Sequence, residues 1–353
     1  MNKLISGIQQ IGIGVPNVYE AWKWYKENFG MDIRIFEDDT VAELMLPYTG
    51  GKPHQRHAAL AMNMSGGGGF EIWQYTSRTP VGPDFEVQLG DLGINIAKIK
   101  TPNVKRAYNE FKLKQLNVLG DLYDGHFFVQ DPYGNIFQVV EETDWFKKTN
   151  KLTGAVAGAF IGVTNIENAQ KVYSDILGYD QVVYDKEEIF SDFSALPGGD
   201  KKLRRVLLKS SNKRAGAFSK LLGDSKIELI HALDREPKKI FKDRFWGDLG
   251  YIHLCYDISG MEALKQDCES KGFSFTVDSS VKHNQDNSFD MGEAAGHFSY
   301  IEDPDGTLIE FVETHKVPIL KKYGWYLNMK KRDPYKSLPN WMLSALGLNK
   351  VKF

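Results

Sequence analysis

The chain has 353 residues, 42% hydrophobic and 25% charged, a mix that excludes disorder along its whole length and suggests two domains with a remainder. Its 44 Lys and Arg against 46 Asp and Glu give a net charge of −2, without the basic excess of a nucleic-acid binder. Two cysteines, Cys255 and Cys268, make no disulfide framework and read as those of a reducing compartment.

In chain order, the N-terminal run alternates like a strand over 8–15 and is broken by glycine, unlike the continuous apolar core of an export signal. Asn17 then caps a predicted helix over 18–28, and Gly30 follows where a left-handed cap is common. Strand-like segments come next at 33–36, 42–46, 57–62 and 70–75, giving the order β-α-β-β-β. The order recurs from Gly93, with a helix over 104–114 and strands reaching Val140, and again from Gly154 and from Tyr251. The longest apolar stretch, 154–163, is far below the ~20 residues that a spanning helix needs. The expectation is a soluble cytoplasmic protein acting on a small molecule, monomer or homodimer, with no nucleic-acid or membrane partner.

The four modules form an internal duplication. At an offset of 148, Gly14, Val15, Asn17, Ala21, Tyr25 and Gly30 match Gly162, Val163, Asn165, Ala169, Tyr173 and Gly178. Gly-Asp-Leu-Gly occurs at 90–93 and at 247–250, and DPYGNIFQVVE at 131–141 parallels DPDGTLIEFVE at 303–313. One module is too one-sided to bury its sheet, whereas two side by side can curl their sheets around a common cleft. The fold class expected is α+β, with each half a pair of modules: a first domain over 1–146, a second over 152–315 and a C-terminal tail over 316–353.

This pattern resembles the vicinal oxygen chelate superfamily, which includes glyoxalase I, extradiol and hydroxyphenylpyruvate-type dioxygenases and bleomycin-resistance proteins. The resemblance covers about 1–315 and rests on Gly-x-Val-x-Asn before a helix and on Asp-Pro-Asp-Gly-x-x-x-Glu at the close. It implies cleft-facing ligand slots on the first and last strands of each module. In the second half these are Gly158, Glu228, His253 and Glu310; in the first half Gln10, Glu71, Ile96 and Gln138.

Alternation independently turns His253 and Cys255 inward while Leu254, Tyr256 and Ile258 pack under a helix, and gives Glu310 and Glu228 the same inward phase. Glu228, His253 and Glu310 are therefore the expected holders of one divalent metal (Zn, Ni, Mn or Fe), because buried like charges need a cation. The first half, with an isoleucine and two neutral amides among its slots, is expected to be metal-free.

The run from Tyr300 through Asp303-Pro304-x-Gly306 to Glu310 is similar to the core of the extradiol dioxygenase signature, where the Tyr hydrogen-bonds substrate oxygen. Those enzymes use two His and one Glu, and their first His would fall at Gly158. The Glu-His-Glu set instead looks closer to glyoxalase I with one ligand missing. By that analogy Glu310 or Glu228 takes a proton from a carbon beside a carbonyl, and the metal stabilises the resulting enolate. The expected function is thus a metal-dependent lyase or isomerase in preference to a dioxygenase, the alternative being a non-catalytic binder of the bleomycin-resistance type. Catalytic candidates are Glu310, Glu228, Tyr300 and His297, with Glu293 as a further substrate contact; His297 has a structural alternative, since Gly125-His126-Phe127 parallels it.

Other signals are discounted. Ser65 to Gly69 leads into a strand and not a helix, so it reads as a flexible loop and not a phosphate cradle. Lys201, Lys202, Arg204 and Arg205 read as a solvated edge. The tail sets nine basic residues against Asp333 alone, with interleaved aromatics. It reads as an arm packed on the acidic body, as a lid over the cleft or, least of all, as a membrane contact.

Overall fold

A computed structural model describes residues 2–282, 289–290, 295–320 and 325–353. The first module comprises β1 (Leu4–Gly14), α1 (Val18–Phe29), β2 (Ile33–Val41), β3 (Gln55–Met62) and β4 (Gly69–Tyr75). Asn17 accepts hydrogen bonds from the amides of Tyr19 and Glu20, and Gly30 ends the helix at φ 63°, so the predicted caps set its ends. The strand expected at 42–46 is absent: Pro47 opens a 3-10 turn at Leu46–Tyr48, and Ala42, Leu44 and Met45 turn towards the cleft.

The second module runs through β5 (Gly93–Thr101), α2 (Val104–Leu113), β6 (Asn117–Tyr123), β7 (His126–Gln130) and β8 (Ile136–Glu141). The third has β9 (Val156–Gly162), α3 (Ile166–Tyr173), β10 (Gln181–Glu188), β11 (Leu203–Lys209), the short α4 (Ser219–Leu222) and β12 (Lys226–Ala232). The fourth has β13 (Gly250–Ser259), α5 (Met261–Ser270), β14 (Val277–Asp278), β15 (Phe289–Asp290), β16 (Ala295–Glu302) and β17 (Leu308–Leu320). After it come β18 (Trp325–Asn328), on the edge of β17, and α6 (Asn340–Ala345).

The modules pair across the halves and not within them. One sheet runs β14-β16-β17-β13-β1-β4-β3-β2, joining module four to module one; the other runs β10-β11-β12-β9-β5-β8-β7-β6, joining module three to module two. The expected pairing of each half with itself is thereby corrected. Alternation fixes the face a side chain points to, but β1 presents the same phase to either first strand that could lie beside it.

The repeated glycines carry the choice. A Cβ at Gly14 would lie 1.9 Å from the carbonyl oxygen of Asp248, and one at Gly162 would lie 1.9 Å from that of Asp91. Each first-strand glycine thus sits against the Gly-Asp-Leu-Gly loop of the opposite half. Within each half the modules meet through helices instead. Tyr25 donates to Asp131 at 2.6 Å and Tyr173 donates to Asp303 at 2.9 Å, two buried and equivalent bonds that tie the first-module helix to the second module's Asp-Pro turn.

The Ser65 to Gly69 segment is not a flexible loop. It is buried between the sheets, with the Gly67 amide on the Leu221 oxygen and the Gly68 amide on the Val156 oxygen, both at 2.9 Å. The tail is anchored by main-chain bonds: Leu338 N to Ala217 O at 2.8 Å, Arg34 N to Asn349 O at 3.0 Å and Val351 N to Asp32 O at 2.9 Å. Lys350 lies 3.1 Å from Asp32, and the Phe353 ring stands edge-on to Trp22. The tail closes the cleft of modules one and four, so the packed-arm and lid readings describe one position. Among the described residues, no helix is long and apolar enough to cross a membrane.

Candidate metal centre

Four strands aim one side chain each at a common point: Gln10 from β1, Glu71 from β4, His253 from β13 and Glu310 from β17. Antiparallel pairing of β1 with β13 sets Gln10 opposite Cys255 and Gly12 opposite His253, while β17 lies parallel to β13 with Glu310 beside Cys255. All four residues are buried, between 0% and 9% exposed. His253 Nε2 lies 3.2 Å from Glu71 Oε2 and 3.1 Å from Glu310 Oε2. Gln10 Nε2 donates to Glu71 at 3.2 Å and, at 3.5 Å, to Glu310.

The imidazole is held from three sides. Trp246 stacks on it at 6.2 Å and 9°, and Tyr300 meets it edge-on at 5.6 Å. On the third side is Gly12, where a Cβ would fall 2.6 Å from the ring's Cε1. A methyl group there must push the ring away. Gly12→Ala is expected to weaken metal retention about 10- to 100-fold, the range seen when a ligand's orientation is lost. Metal titration of the variant checks this, and unchanged affinity would show that the ring has room to yield.

The donor set fits a divalent cation. Two carboxylates are buried against one imidazole, an arrangement costly without added positive charge. Neither nitrogen of His253 has an aligned hydrogen-bond partner, and Gln10 Oε1 is likewise buried without one. Burial opposes the imidazolium, but Glu310 and then Glu71 outweigh it and push the His253 pKa up to about 9. Among the described residues, Glu71, His253 and Glu310 are the one group of three His, Cys, Asp or Glu with ligand atoms all within 4.8 Å of each other. Carboxylate, imidazole and carboxamide together suit Zn, Mn, Fe or Ni.

Of the residues singled out in the sequence, His253 and Glu310 come together, with Tyr300 beside them on β16 opposite Glu310. Burial, then the charges of Glu310 and Glu71, pushes the Tyr300 phenol well above its usual range. It therefore stays protonated and can donate to a basic oxygen.

Glu228 is not in this centre. It lies in the other sheet, where Lys98 donates to it at 2.5 Å, Tyr184 donates at 2.5 Å and Arg205 donates through Nε. Lys98 also donates to Gln138 at 2.9 Å, so its ammonium stands among the slot residues of modules two and three. Burial opposes ionisation of Glu228, yet Lys98 and Arg205 overcome this and hold it down to about 2. Arg205, read as part of a solvated edge, is 7% exposed.

His297 is also turned away. It lies one residue out of phase with Phe298 and Tyr300, and its Nε2 is 2.7 Å from Asp278. Glu293 lies outside the described residues. Glu71 and Gln10, assigned to a metal-free half, complete the centre. Their signal was legible, since Glu71 occupies in β4 the slot that Glu228 occupies in β12, but pairing within halves set them beside Ile96 and Gln138.

The centre opens into a cavity of about 740 Å3, lined by Gln10, Glu71, Glu310, Trp246 and Tyr300 at one part and by tail residues Leu338 to Asn349 at another.

Residues 159–289 match the model of the Glyoxalase/Bleomycin resistance protein/Dioxygenase superfamily. A putative dioxygenase from Bacillus subtilis subsp. subtilis str. 168 is similar in structure at a TM-score of 0.58 and 12% identity, over 99% of this chain and 98% of that one. The family-model match lies within the second half of the chain, and the likeness to the solved structure is one of fold. Glyoxalase I from Zea mays is similar at a TM-score of 0.51 and 14% identity, over 88% of this chain and 92% of that one. No curated protein matches the chain by sequence.

Proposed function

We propose that this chain is a metal-dependent vicinal oxygen chelate enzyme that moves a proton at a carbon beside a carbonyl, by isomerase or lyase chemistry. The observation that supports it best is the convergence of Gln10, Glu71, His253 and Glu310 from all four slots of modules one and four. The ligand missing from the Glu-His-Glu reading is supplied by Gln10. A divalent cation held by these residues would act as a Lewis acid on the oxygens of a bound carbonyl compound.

The protein's own groups do the rest. Glu71 and Glu310 flank the centre, and one of them serves as general base, with Glu71 taking the role expected of Glu228. General-base help is worth about 10²- to 10⁴-fold in rate. Gln10 steadies both carboxylates through its amide. The Tyr300 phenol donates to a substrate oxygen and cannot compete for the proton. Trp246 and Tyr300 fix the imidazole, and the tail keeps water from the reacting carbon. One imidazole among the donors, where ring-cleaving dioxygenases have two, favours proton transfer over oxygen chemistry.

The test is solvent exchange. Metal-loaded protein in D2O is expected to incorporate deuterium beside the carbonyl of some members of a panel of 2-hydroxy and 2-thio carbonyl compounds, followed by proton NMR. Glu310→Gln and chelator treatment should each abolish it. Binding of such compounds without exchange would make the chain a non-catalytic binder, and oxygen uptake by the iron form would make it a dioxygenase.

A further inference from the structure

We infer that the substrate carries an uncharged apolar tail, seated in the chamber between the metal centre and the C-terminal segment; the inference rests on the reading of the centre given above. The cavity is continuous from Glu71 and Glu310 to a wall built by three separated parts of the chain: Met62 on β3, Leu222 on α4, and Leu338, Met342, Leu343 and Leu346 of the tail. Such a wall has no hydrogen bonds to offer a ligand and is stabilised only by apolar contact.

Charge points the same way. The arginine lining the cavity, Arg56, is already held by both oxygens of Asp38, at 2.5 Å and 3.3 Å. It is therefore not open to receive a substrate carboxylate. Gln10, Glu71, Glu310 and Tyr300 meet at the metal end, and the polar residues lining the cavity elsewhere, Gln9, Thr40, Glu43, Thr314 and Asn349, include no cation to receive a substrate carboxylate. A volume of about 740 Å3 exceeds the need of a three-carbon carbonyl compound and suits a drug-sized molecule. An oxygenated head at the carboxylates and a hydrocarbon or aromatic remainder under the tail satisfy both ends. The unbranched, polarisable Met62 and Met342 side chains let the wall follow tails of different shape.

The experiment uses straight-chain alkyl hydroxamates, from acetyl to decanoyl, titrated calorimetrically into full-length metal-loaded protein and into the metal-free protein. The dissociation constant is expected to fall about three- to fourfold per added methylene as the tail fills the chamber. Met342→Asp and Leu346→Asp, both on partly exposed positions of the tail, should each flatten that slope within their own series. A slope in the loaded protein that flattens in the variants supports the inference. A slope with equal absolute affinities in loaded and metal-free protein keeps the apolar chamber and removes the metal centre. No slope in either form overturns the inference, whether or not acetohydroxamate binds.

Discussion

Glu310→Gln, Glu71→Gln and His253→Ala should each fold and fail to retain a divalent metal. The wild-type chain, loaded and dialysed, is expected to hold close to one equivalent by elemental analysis. Each variant should bind more than about 100-fold more weakly, because loss of a ligand exceeds the roughly 10- to 100-fold cost of losing a ligand's supporting partner. Folding should survive the carboxylate changes, since removing one of two adjacent buried acids also removes a repulsion.

The same centre gives metal binding a pH dependence. The His253 pKa stands near 9 because Glu310 and Glu71 outweigh burial, and a ligating imidazole must be neutral. Loading near neutral pH therefore releases about one proton, and apparent affinity should rise about tenfold per pH unit between ~7 and ~9. In the metal-free chain the sign reverses. A histidine raised above 6.5 contributes stability that is complete below that value and is lost as pH rises through about 9. Calorimetry in two buffers of different ionisation enthalpy reads the proton. Wild-type loading in all three variants would remove the centre.

Most of the fold could be read from the sequence because its signals are local. Asn17, Gly30 and Asn165 act through bonds within their own turns, and alternation along 253–258 and 308–312 places Glu310 and His253 inward without knowledge of any neighbour. The site was half legible for the complementary reason. A metal centre spread over four strands depends on which sheets lie side by side, and alternation is blind to that. Gly14 and Gly162 did hold the information, since each leaves room for a Gly-Asp-Leu-Gly loop from the other half, but glycine at a strand end has many explanations. His297, one residue out of phase with the cavity-lining Phe298 and Tyr300, bonds Asp278 and takes the structural alternative. Lys98 carries no such signal, because a lysine at strand spacing usually points to water, and here its ammonium stands in a buried slot.

That ammonium makes the cleft of modules two and three a second, self-neutralised version of the first, and Glu228→Gln should expose the difference. Glu228 is fully buried, and Lys98 and Arg205 are 4% and 7% exposed, so removing the carboxylate leaves two buried cations with only part of their compensation. Breaking a buried pair in this way costs about 3–5 kcal/mol. Arg205 keeps Asp192 at 2.7 Å, so most of the loss should trace to Lys98. Adding Lys98→Met to Glu228→Gln should then recover much of the stability in urea unfolding, as a methionine leaves no buried charge to compensate. With its folded pKa held near 2 against an ordinary 4.5, Glu228 contributes stability present above ~4.5 and lost as pH falls towards 2. The single variant should lose that acid dependence while its metal content stays at one equivalent. If Glu228→Gln emptied the metal and left stability unchanged, the metal centre would lie in this cleft and the pairing of Glu71 with His253 and Glu310 would be structural.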